Sequence, residues 1–416
     1  MKKQFSAILF LFYLWLPFAT GNTIVVCPTC EVETISDGVE LANECDTLLV
    51  KKGVYEENNI LIEKELTMLG EGMPVIDGNN SGEILTVENK YFHIEGFRIQ
   101  NVGRSYVEDR AGIRIRKSTQ FTIRNNEFVE AFFAIYLQNS SKGLVENNLV
   151  LAQSQDEANS GNAIHAWYCS YLEIANNVVK GNRDGIYFEF VDNSLIHDNL
   201  SQNNIRYGLH FMFSDNDSYF NNEFVDNGAG VAVMYSKFIS MKNNVFRENW
   251  GAASYGLLLK DIFDSEINYN KFARNTIGIF METSNRLNIQ ENEFSENGWA
   301  FKMSGGNQTN ILTKNNFLHN TFDLSVHSAG SDNTFNGNYW SDYAGYDLDK
   351  DGVGDVPHRP MKLFSYVVSS TPEAMVLLRS LFVDLLNFSE KVSPIFTPEN
   401  VIDKTPLMDP LPVFGR

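Results

Sequence analysis

One short phrase recurs along the middle of the chain and constrains the fold more than any other feature. A small residue followed by alternating apolar residues occurs nine times, with the small residue at 112, 134, 163, 185, 208, 230, 256, 278 and 300. Successive copies lie 22, 29, 22, 23, 22, 26, 22 and 22 residues apart. A period near 22 is too short for repeats of helix pairs and suits a parallel β-helix with one coil per repeat.

Each repeat also contains an Asn-rich segment followed by an aromatic or aliphatic residue, as in residues 125–128, 221–224 and 243–246. Asn tolerates left-handed backbone angles and forms hydrogen bonds within its own turn, so these segments predict corners between strands. In stacked coils the Asn amides can also form a ladder from one coil to the next. The apolar residue after each corner is expected to point into the core.

The chain is acidic, which excludes one class of partner. Its 416 residues contain 33 Lys and Arg against 52 Asp and Glu, a net charge of −19. Nucleic-acid binding is excluded because no basic surplus is available to neutralise phosphates.

Residues 1–21 have the order of a secretory signal peptide. Lys2 and Lys3 precede an apolar stretch over residues 7–16, and residues 19–21 (Ala-Thr-Gly) provide a small-residue cleavage site. A retained membrane anchor is the alternative, although the apolar run is short for a span. We therefore expect the protein to be exported.

The rest of the chain divides according to the repeat. Residues 22–110 are expected to form an N-terminal cap and less regular first coils, with a short helix in 34–42 that begins at Thr34 or Ser36. Residues 111–340 are predicted to form the regular β-helix, and residues 341–370 an acidic loop at the end of the solenoid.

Residues 371–416 depart from the repeat. Thr371 and Pro372 are typical of a helix start, and residues 374–388 predict an apolar helix interrupted by Arg379 and Asp384. This helix is too short and too charged to span a bilayer. It is expected either to cap the C-terminal end of the solenoid or to dock on a membrane partner, and the proline-containing tail is expected to be extended.

Four cysteines are present, and three of them lie close together. Cys27 and Cys30 form a Cys-X-X-Cys motif, Cys45 follows, and Cys169 is distant. In an exported chain the simplest interpretation is a disulfide among the first three. A thiolate site for Cu(I) or a thiol redox pair at Cys27 and Cys30 is the alternative.

Two coils are longer than the others, and both contain their extra residues in the same turn. The insertions cover residues 153–160 and 249–255, so they should project from the same edge of the solenoid. Insertions on one side of a solenoid often mark its binding face.

Strand alternation predicts which side chains that face carries. If Ile164 and Ala166 point inward, then His165, Glu189, His210, Met212 and Met234 point outward in successive coils. His210, Met212 and Met234 are expected to converge, with His165 and Glu189 near the rim. Thioethers with an imidazole favour Cu(I) over zinc or calcium. A docking patch for another protein and an incidental surface are the alternatives.

An acidic loop follows the last coil. Carboxylates at positions 1, 3, 5 and 9 with Gly352 at position 6 match the ligand spacing of a calcium loop. Position 12 is His358 rather than Glu, so an EF-hand is not expected, and the alternatives are a stand-alone calcium loop and a solvated acidic turn. The candidate calcium ligands are Asp347, Asp349, Asp351 and Asp355.

Five segments have the most specific residue patterns of the chain: 185–190 (Gly-Ile-Tyr-Phe-Glu-Phe), 208–214 (Gly-Leu-His-Phe-Met-Phe-Ser), 231–236 (Val-Ala-Val-Met-Tyr-Ser), 338–343 (Asn-Tyr-Trp-Ser-Asp-Tyr) and 406–408 (Pro-Leu-Met). With these segments the chain resembles the NosD family of periplasmic maturation proteins for nitrous oxide reductase. It implies a right-handed parallel β-helix in the periplasm, held at the inner membrane by a permease that a cytoplasmic ATPase drives. It also implies that this ABC-type complex works with a copper-carrying lipoprotein in assembling the copper centres of nitrous oxide reductase.

The expected function is therefore that of a non-enzymatic accessory protein that docks the copper carrier and the reductase. Whether copper, a sulfur species or only mechanical work is delivered stays open. A carbohydrate lyase, epimerase or glycosidase on the same scaffold is the alternative, because β-helices often support sugar chemistry. Such an enzyme needs grouped acid and base residues, whereas Glu189 is the only acid among the outward residues of the central coils. A surface-binding solenoid is a third class.

Overall fold

The structure is a computed structural model that describes residues 21–105, 107–326, 332–392 and 401–412. Three parallel sheets of 14, 13 and 12 strands run along the molecule, and from the second strand onward successive strands of the chain fall in the three sheets in turn. The predicted parallel β-helix is therefore confirmed. Most of the predicted signal peptide, residues 1–20, lies outside the described residues. Among the described helices, none combines the length and apolar character needed to cross a membrane.

The strands are numbered in chain order. The first sheet contains β1 (Thr23–Val26), β2 (Asp46–Lys51), β5 (Leu66–Glu71), β8 (Tyr91–Glu95), β11 (Gln120–Arg124), β14 (Gly143–Glu146), β17 (Glu173–Ala175), β20 (Leu195–His197), β23 (Ser218–Phe220), β26 (Ser240–Lys242), β29 (Glu266–Asn268), β32 (Asn288–Gln290), β35 (Ile311–Thr313) and β38 (Thr334–Asn336). The second sheet contains β3 (Val54–Glu56), β6 (Val75–Asp77), β9 (Arg98–Gln100), β12 (Glu127–Val129), β15 (Leu149–Leu151), β18 (Val178–Lys180), β21 (Leu200–Gln202), β24 (Glu223–Val225), β27 (Val245–Arg247), β30 (Lys271–Ala273), β33 (Glu293–Ser295), β36 (Asn316–Leu318) and β39 (Tyr339–Trp340). The third sheet contains β4 (Ile60–Ile62), β7 (Leu85–Val87), β10 (Ala111–Arg116), β13 (Phe133–Gln138), β16 (Ile164–Ser170), β19 (Asp184–Asp192), β22 (Tyr207–Met212), β25 (Ala229–Met234), β28 (Leu257–Lys260), β31 (Ile277–Glu282), β34 (Trp299–Ser304) and β37 (Phe322–Val326).

The core follows from the alternation of apolar residues. One hydrophobic cluster extends from Val26 at the first strand to Val401 near the C-terminus. From Phe224 onward the aromatic residue after each Asn corner stacks on its equivalent in the next coil, as where the rings of Phe246 and Phe272 lie 4.6 Å apart. Phe317 and Trp340 end this stack at 4.1 Å. Register is thus fixed by identical side chains that pack on one another coil after coil.

The Asn corners form the predicted ladder. The first Asn of each corner takes the left-handed conformation, as Asn221 does at φ 57°. The second Asn is buried and donates its amide to the equivalent Asn of the next coil, as Asn222 Nδ2 does to Asn244 Oδ1 at 3.0 Å. Buried amides paired in this way satisfy groups that would otherwise carry a desolvation penalty.

The small residue of the repeat has a steric cause. A Cβ atom added at Gly230 would lie 2.3 Å from the carbonyl oxygen of Gly256 in the next coil, and one added at Gly278 would lie 2.5 Å from that of Ala300. Close approach of neighbouring coils therefore requires glycine at these two positions, and the same corner has nothing larger than alanine in the other repeats.

The N-terminal end is sealed as predicted by a short helix, α1 (Ile35–Leu41). Thr34, one of the two expected N-cap residues, accepts a hydrogen bond from the Asp37 amide at 3.0 Å. Ile35 and Val39 are buried in the main core, so α1 covers the open end of the solenoid. Cys27 and Cys30 form a disulfide beside this end, while Cys45 and Cys169 are free thiols.

The C-terminal end is sealed by the tail rather than by a helix, which differs from one of the two expectations for residues 371–416. Asp403 accepts hydrogen bonds from Nδ2 of Asn338 at 3.0 Å and from Nε1 of Trp340 at 3.1 Å, so its carboxylate ends the Asn ladder. Leu407 bridges Tyr339 of the last strand. This part of the tail packs on the solenoid, whereas Pro394 and Pro398 lie outside the described residues.

The predicted helix at residues 374–388 is wrong in its boundaries. The chain forms α2 (Leu363–Ser370), a 3-10 helix (Pro372–Leu377) and α3 (Leu381–Val392). The break occurs at Ser380, whose hydroxyl accepts from the amide of Val383 at 3.4 Å and so starts a new helix. The helices pack on the outer face of the third sheet near its C-terminal end, where Phe364 and Val383 join Trp299 and Phe322 in a separate apolar cluster.

Candidate functional site

The strand register brings three predicted site residues into one outward column of the third sheet. Glu189 of β19 pairs with Met212 of β22, and Met212 pairs with Met234 of β25. All three side chains are half-buried. Neighbouring strands lie about 4.8 Å apart, so the two thioethers and the carboxylate occupy adjacent rungs on one surface. Glu189 is thus a direct neighbour of Met212 rather than a distant rim residue.

His210 occupies the next outward column, two residues before Met212. It pairs with Tyr187 on one side and with Ala232 on the other. Ala232 is the smallest residue in that column, and it is fully buried beside the imidazole. The rings of Tyr187 and Tyr207 lie 4.9 and 4.8 Å from that of His210.

The His210 ring is more buried than strand alternation alone predicts, with only 4% of the residue exposed. Among the described residues, neither ring nitrogen has a hydrogen-bond partner. Burial, together with the positive charge of Arg206, lowers the pKa of His210 to about 4. The ring is therefore neutral at pH 7, which is the form that binds a metal. A buried imidazole with two unused nitrogens is uncommon in a folded protein.

His165 is not brought to the thioether pair. It lies two coils before His210 in the same column, with Tyr187 between them. Its ring stacks on Tyr136 at 4.5 Å and meets Tyr187 edge-on at 4.7 Å. Burial, with the nearby charge of Arg183, lowers the pKa of His165 to about 3. His165 is thus part of a buried aromatic column rather than of the rim.

The donor set fits Cu(I). Two thioethers side by side with a neutral imidazole form a soft set with low charge, which suits Cu(I) better than zinc or calcium. Glu189 adds one negative charge beside Met212, enough to balance a monovalent cation. The disulfide leaves Cys27 and Cys30 without thiolates, so these two cysteines are not available as copper ligands in this state.

Both insertions lie in the turn between the second and the third sheet, between β15 and β16 and between β27 and β28. The turn between β9 and β10 is also long and was not singled out from the sequence. With the first insertion it forms a polar cleft of about 710 Å³ that includes Arg104, Glu130 and Asn159. The second insertion ends at Tyr255, where burial, together with the neighbouring Tyr207, raises the pKa of the phenol; Tyr207 also lies beside His210.

Sequence reasoning missed a row of aromatic residues immediately after the outward column. Tyr168, Phe190, Phe213 and Tyr235 occupy the same corner in four consecutive coils, and we call them the aromatic ladder. The rings stack with centroid distances of 4.5, 5.1 and 5.0 Å. The signal was present as four dipeptides, because each aromatic follows an outward residue directly: Trp167-Tyr168, Glu189-Phe190, Met212-Phe213 and Met234-Tyr235.

The acidic loop brings three of its four predicted ligands together. Ligand oxygens of Asp347, Asp349 and Asp351 lie within 4.8 Å of one another. The Asp351 carboxylate raises the pKa of Asp349, a repulsion that a cation would relieve. Asp355 instead accepts a hydrogen bond from the Leu348 amide at 2.7 Å. Gly352 takes φ 86°, as the sixth position of such a loop requires. Calcium binding stays a prediction.

The outward column with Glu189, Met212 and Met234 lies within a segment that matches a known protein family. Residues 150–345 match the family described as NosD, periplasmic copper-binding protein. These residues form a NosD domain. The predicted resemblance is therefore confirmed, and the NosD domain contains His165, Glu189, His210, Met212 and Met234.

Relatives extend the match beyond the NosD domain. A probable ABC transporter binding protein NosD from Pseudomonas aeruginosa is 27% identical over 370 residues, which cover 84% of this chain and 85% of the relative. A protein of the same name from Stutzerimonas stutzeri is 26% identical over 133 residues, 31% of this chain and 30% of the relative. Both names describe these relatives as probable binding proteins of an ABC transporter.

Two solved structures show the same solenoid. A family 28 exopolygalacturonase from Yersinia enterocolitica is 8% identical with a TM-score of 0.56, and the match covers 77% of this chain and 79% of the enzyme. Gene product 12 of bacteriophage phi29 is 13% identical with a TM-score of 0.54, and the match covers 70% of this chain and 48% of the phage protein. At these identities the similarity concerns the fold alone.

Proposed function

We propose that this protein is the periplasmic accessory component of an ABC-type complex and assists copper-centre assembly of nitrous oxide reductase. In this proposal it docks a copper-carrying lipoprotein and then the reductase, and it holds Cu(I) transiently between them. One observation carries the proposal: within the NosD domain, Met212 and Met234 are neighbours in register beside the neutral, unpartnered ring of His210.

The chemistry of these side chains suits transfer rather than storage. Thioethers are soft, neutral ligands, so each Cu(I)–sulfur bond can be exchanged for a ligand of an incoming protein. Met212 and Met234 are half-buried and so remain accessible for that exchange. His210 provides the third ligand from beneath the surface, and Glu189 compensates the charge of the ion. Removal of water around the buried imidazole also disfavours oxidation of the bound ion.

The C-terminal helices offer the attachment to the membrane complex. The exposed fractions of Leu381, Phe382, Leu385 and Phe388 in α3 are 74, 57, 56 and 66%, which is unusual for such large apolar side chains. Val383 of the same helix is buried against the solenoid. In the proposal this apolar face contacts the permease, and the solenoid acts as a rigid arm that the ATP-driven permease moves.

The copper proposal is tested by competition titration of the purified protein with a chromogenic Cu(I) chelator. The wild-type protein is expected to bind one Cu(I), and the variant with His210→Ala, Met212→Ala and Met234→Ala is expected to lose that site. Met73→Ala is the matched control, because Met73 is an exposed thioether outside the site, with 43% of the residue exposed. Unchanged stoichiometry and affinity in the triple variant would remove this site from consideration.

The docking proposal needs a variant that spares the end cap. Deletion of residues 371–416 would also remove Asp403, so we choose Phe382→Ser with Leu385→Ser and Phe388→Ser. Cells that carry this variant are expected to accumulate reductase without its copper, with the protein present at normal level in the periplasmic fraction. Normal copper loading of the reductase would contradict the docking role.

A further inference from the structure

The aromatic ladder has a backbone conformation that its residues do not favour. Tyr168, Phe190, Phe213 and Tyr235 have φ values of 51, 56, 50 and 54°. Bulky side chains rarely adopt this left-handed region, and each such residue costs on the order of 1–3 kcal/mol. Four such residues in consecutive coils indicate that the aromatic side chains have a use that offsets this cost.

The fold itself does not require aromatic residues at this corner. The equivalent corner in the neighbouring coils contains smaller or polar residues with the same backbone conformation, namely Lys117, Asn139, Asp261, Thr283 and Gly305. Asn, Asp and Gly adopt the left-handed conformation readily. The aromatic residues are therefore confined to the four coils that also contain Trp167, Glu189, Met212 and Met234.

The stacking of the rings indicates the kind of partner. Neighbouring planes are within 10–12° of parallel, so the rings cover one another's faces and present their edges to solvent. A sugar ring binds to an exposed aromatic face, which this arrangement provides only at its two ends. A row of edges is instead a flat apolar strip, with 49% of Tyr168, 40% of Phe213 and 43% of Tyr235 exposed. Such a strip suits an apolar protein surface.

The charges around the ladder specify that surface further. Glu189 lies on one side of the strip, and Asp192 and Asp215 lie on the other, all of them partly exposed. The nearby cations, Lys237 and Lys260, are already paired with other acids, at 3.7 Å from Asp215 and 3.4 Å from Glu282. The rim is therefore acidic, as is the chain with its net charge of −19. A partner with lysine or arginine around an apolar centre is complementary to it.

The ladder lies directly beside the candidate copper ligands. Phe213 follows Met212 in the chain, and Tyr235 follows Met234, so a protein seated on the strip covers both thioethers. We propose that the aromatic ladder is the docking surface for the copper-carrying protein, which binds through an apolar patch with a basic rim and so presents its ion to Met212 and Met234. This inference rests on the proposed function and adds the surface and the chemistry of the partner.

The test measures binding of the Cu(I)-loaded soluble domain of the copper-carrying lipoprotein to the full mature protein by biolayer interferometry. The variant is Phe190→Asn with Phe213→Asn, because Asn139 already occupies the same corner. Since buried aromatic anchors dominate interface energetics, we expect carrier affinity to fall about ten-fold or more. The protein's own Cu(I) affinity, measured by chelator competition, should not change. Binding of the carrier should also weaken as NaCl is raised, because the rim is charged.

Tyr269→Asn is the matched control, since Tyr269 is an exposed aromatic in the left-handed conformation at a different corner, with φ 59°. It should leave carrier binding unchanged. Circular dichroism and the thermal midpoint show whether the variant is folded, and Phe213→Asn alone replaces it if it is not. Full carrier affinity in a folded ladder variant overturns the inference. It is also overturned if the ladder variant loses affinity for the reductase but keeps its affinity for the carrier. If the wild-type protein holds no Cu(I) yet the ladder variant loses the carrier, the copper site fails and the ladder stands.

Discussion

Two stretches of the third sheet have the same backbone structure but differ in the side chains on their outer face. The central strands β16 to β25 carry His165, Tyr187, His210, Met212 and Met234 on their outer face. The later strands β28 to β34 carry none of these site residues there; they have the ion pair between Lys260 and Glu282 at 3.4 Å and an apolar cluster around Trp299 that the C-terminal helices cover. In both stretches the inner residues are fully buried and the coils pair in the same register. The comparison shows that the inner residues build the rod and that the outer residues are free to acquire chemistry.

The largest expected effect comes from a residue that both stretches depend on. Phe246 stacks between Phe224 at 5.4 Å and Phe272 at 4.6 Å in the core under both. Phe246→Ala should destabilise the protein by about 3–5 kcal/mol, because it leaves a cavity in a stack that cannot collapse. Urea denaturation measures the change, with Phe238→Ala as an exposed control. A loss below about 1 kcal/mol would mean that the core stack does not hold the coils together.

The second prediction moves a residue of the later stretch into the central one. In the next coil the position equivalent to Met234 is Lys260, and Met234→Lys introduces the same residue at position 234. Cu(I) affinity should fall at least about 100-fold, since loss of outer partners of a metal ligand alone costs 10–100-fold. Thermal stability should stay near that of the wild type, because this column faces outward. Retained affinity by chelator competition would show that the thioether pair is not the site.

A third prediction concerns a buried position beside the first sheet, where one of the central coils has a different residue from the later coils. Asp217 is buried at a position that Asn310 and Asn333 occupy in later coils. Burial, together with the nearby Asp192 carboxylate, raises the pKa of Asp217 well above its usual range. The folded state therefore binds this proton more tightly than the unfolded state, and stability is lost as pH rises above about 4 toward the raised pKa.

Asp217→Asn should accordingly stabilise the protein at pH 8 by about 1–3 kcal/mol, the cost of a poorly satisfied buried polar group. The gain should shrink toward zero at about pH 3, where the wild-type carboxyl is protonated in both states. Urea denaturation at the two pH values measures this difference. Asp226→Asn, at an exposed corner, serves as the control. An equal gain at both pH values would contradict the assignment to ionisation.

These cases show which features the sequence could predict. The repeat, the small residues and the Asn ladder are local and periodic, so counting along the chain is sufficient to place them. Burial of His210 was not predictable in this way, because it depends on Tyr207 and on the inserted loop that ends at Tyr255. The end cap was also missed, since Asp403 and Asn338 meet across 65 residues of chain. Alternation tells which way a side chain points, but only the neighbouring coils and loops decide whether it is exposed.

The smallest expected effect concerns the acidic loop, where the solenoid ends rather than where it carries the candidate copper site. Asp347, Asp349 and Asp351 should bind calcium with a dissociation constant of about 10⁻⁴–10⁻³ M, as loops of this kind do outside the cytoplasm. Calcium at ten times that constant would stabilise the folded end by about 1.4 kcal/mol. Calorimetric titration measures binding, with Asp349→Asn expected to abolish it and Asp384→Asn to leave it intact. Since the candidate copper ligands lie several coils before the loop, calcium should leave Cu(I) affinity unchanged, and a coupled change would show that the two regions communicate.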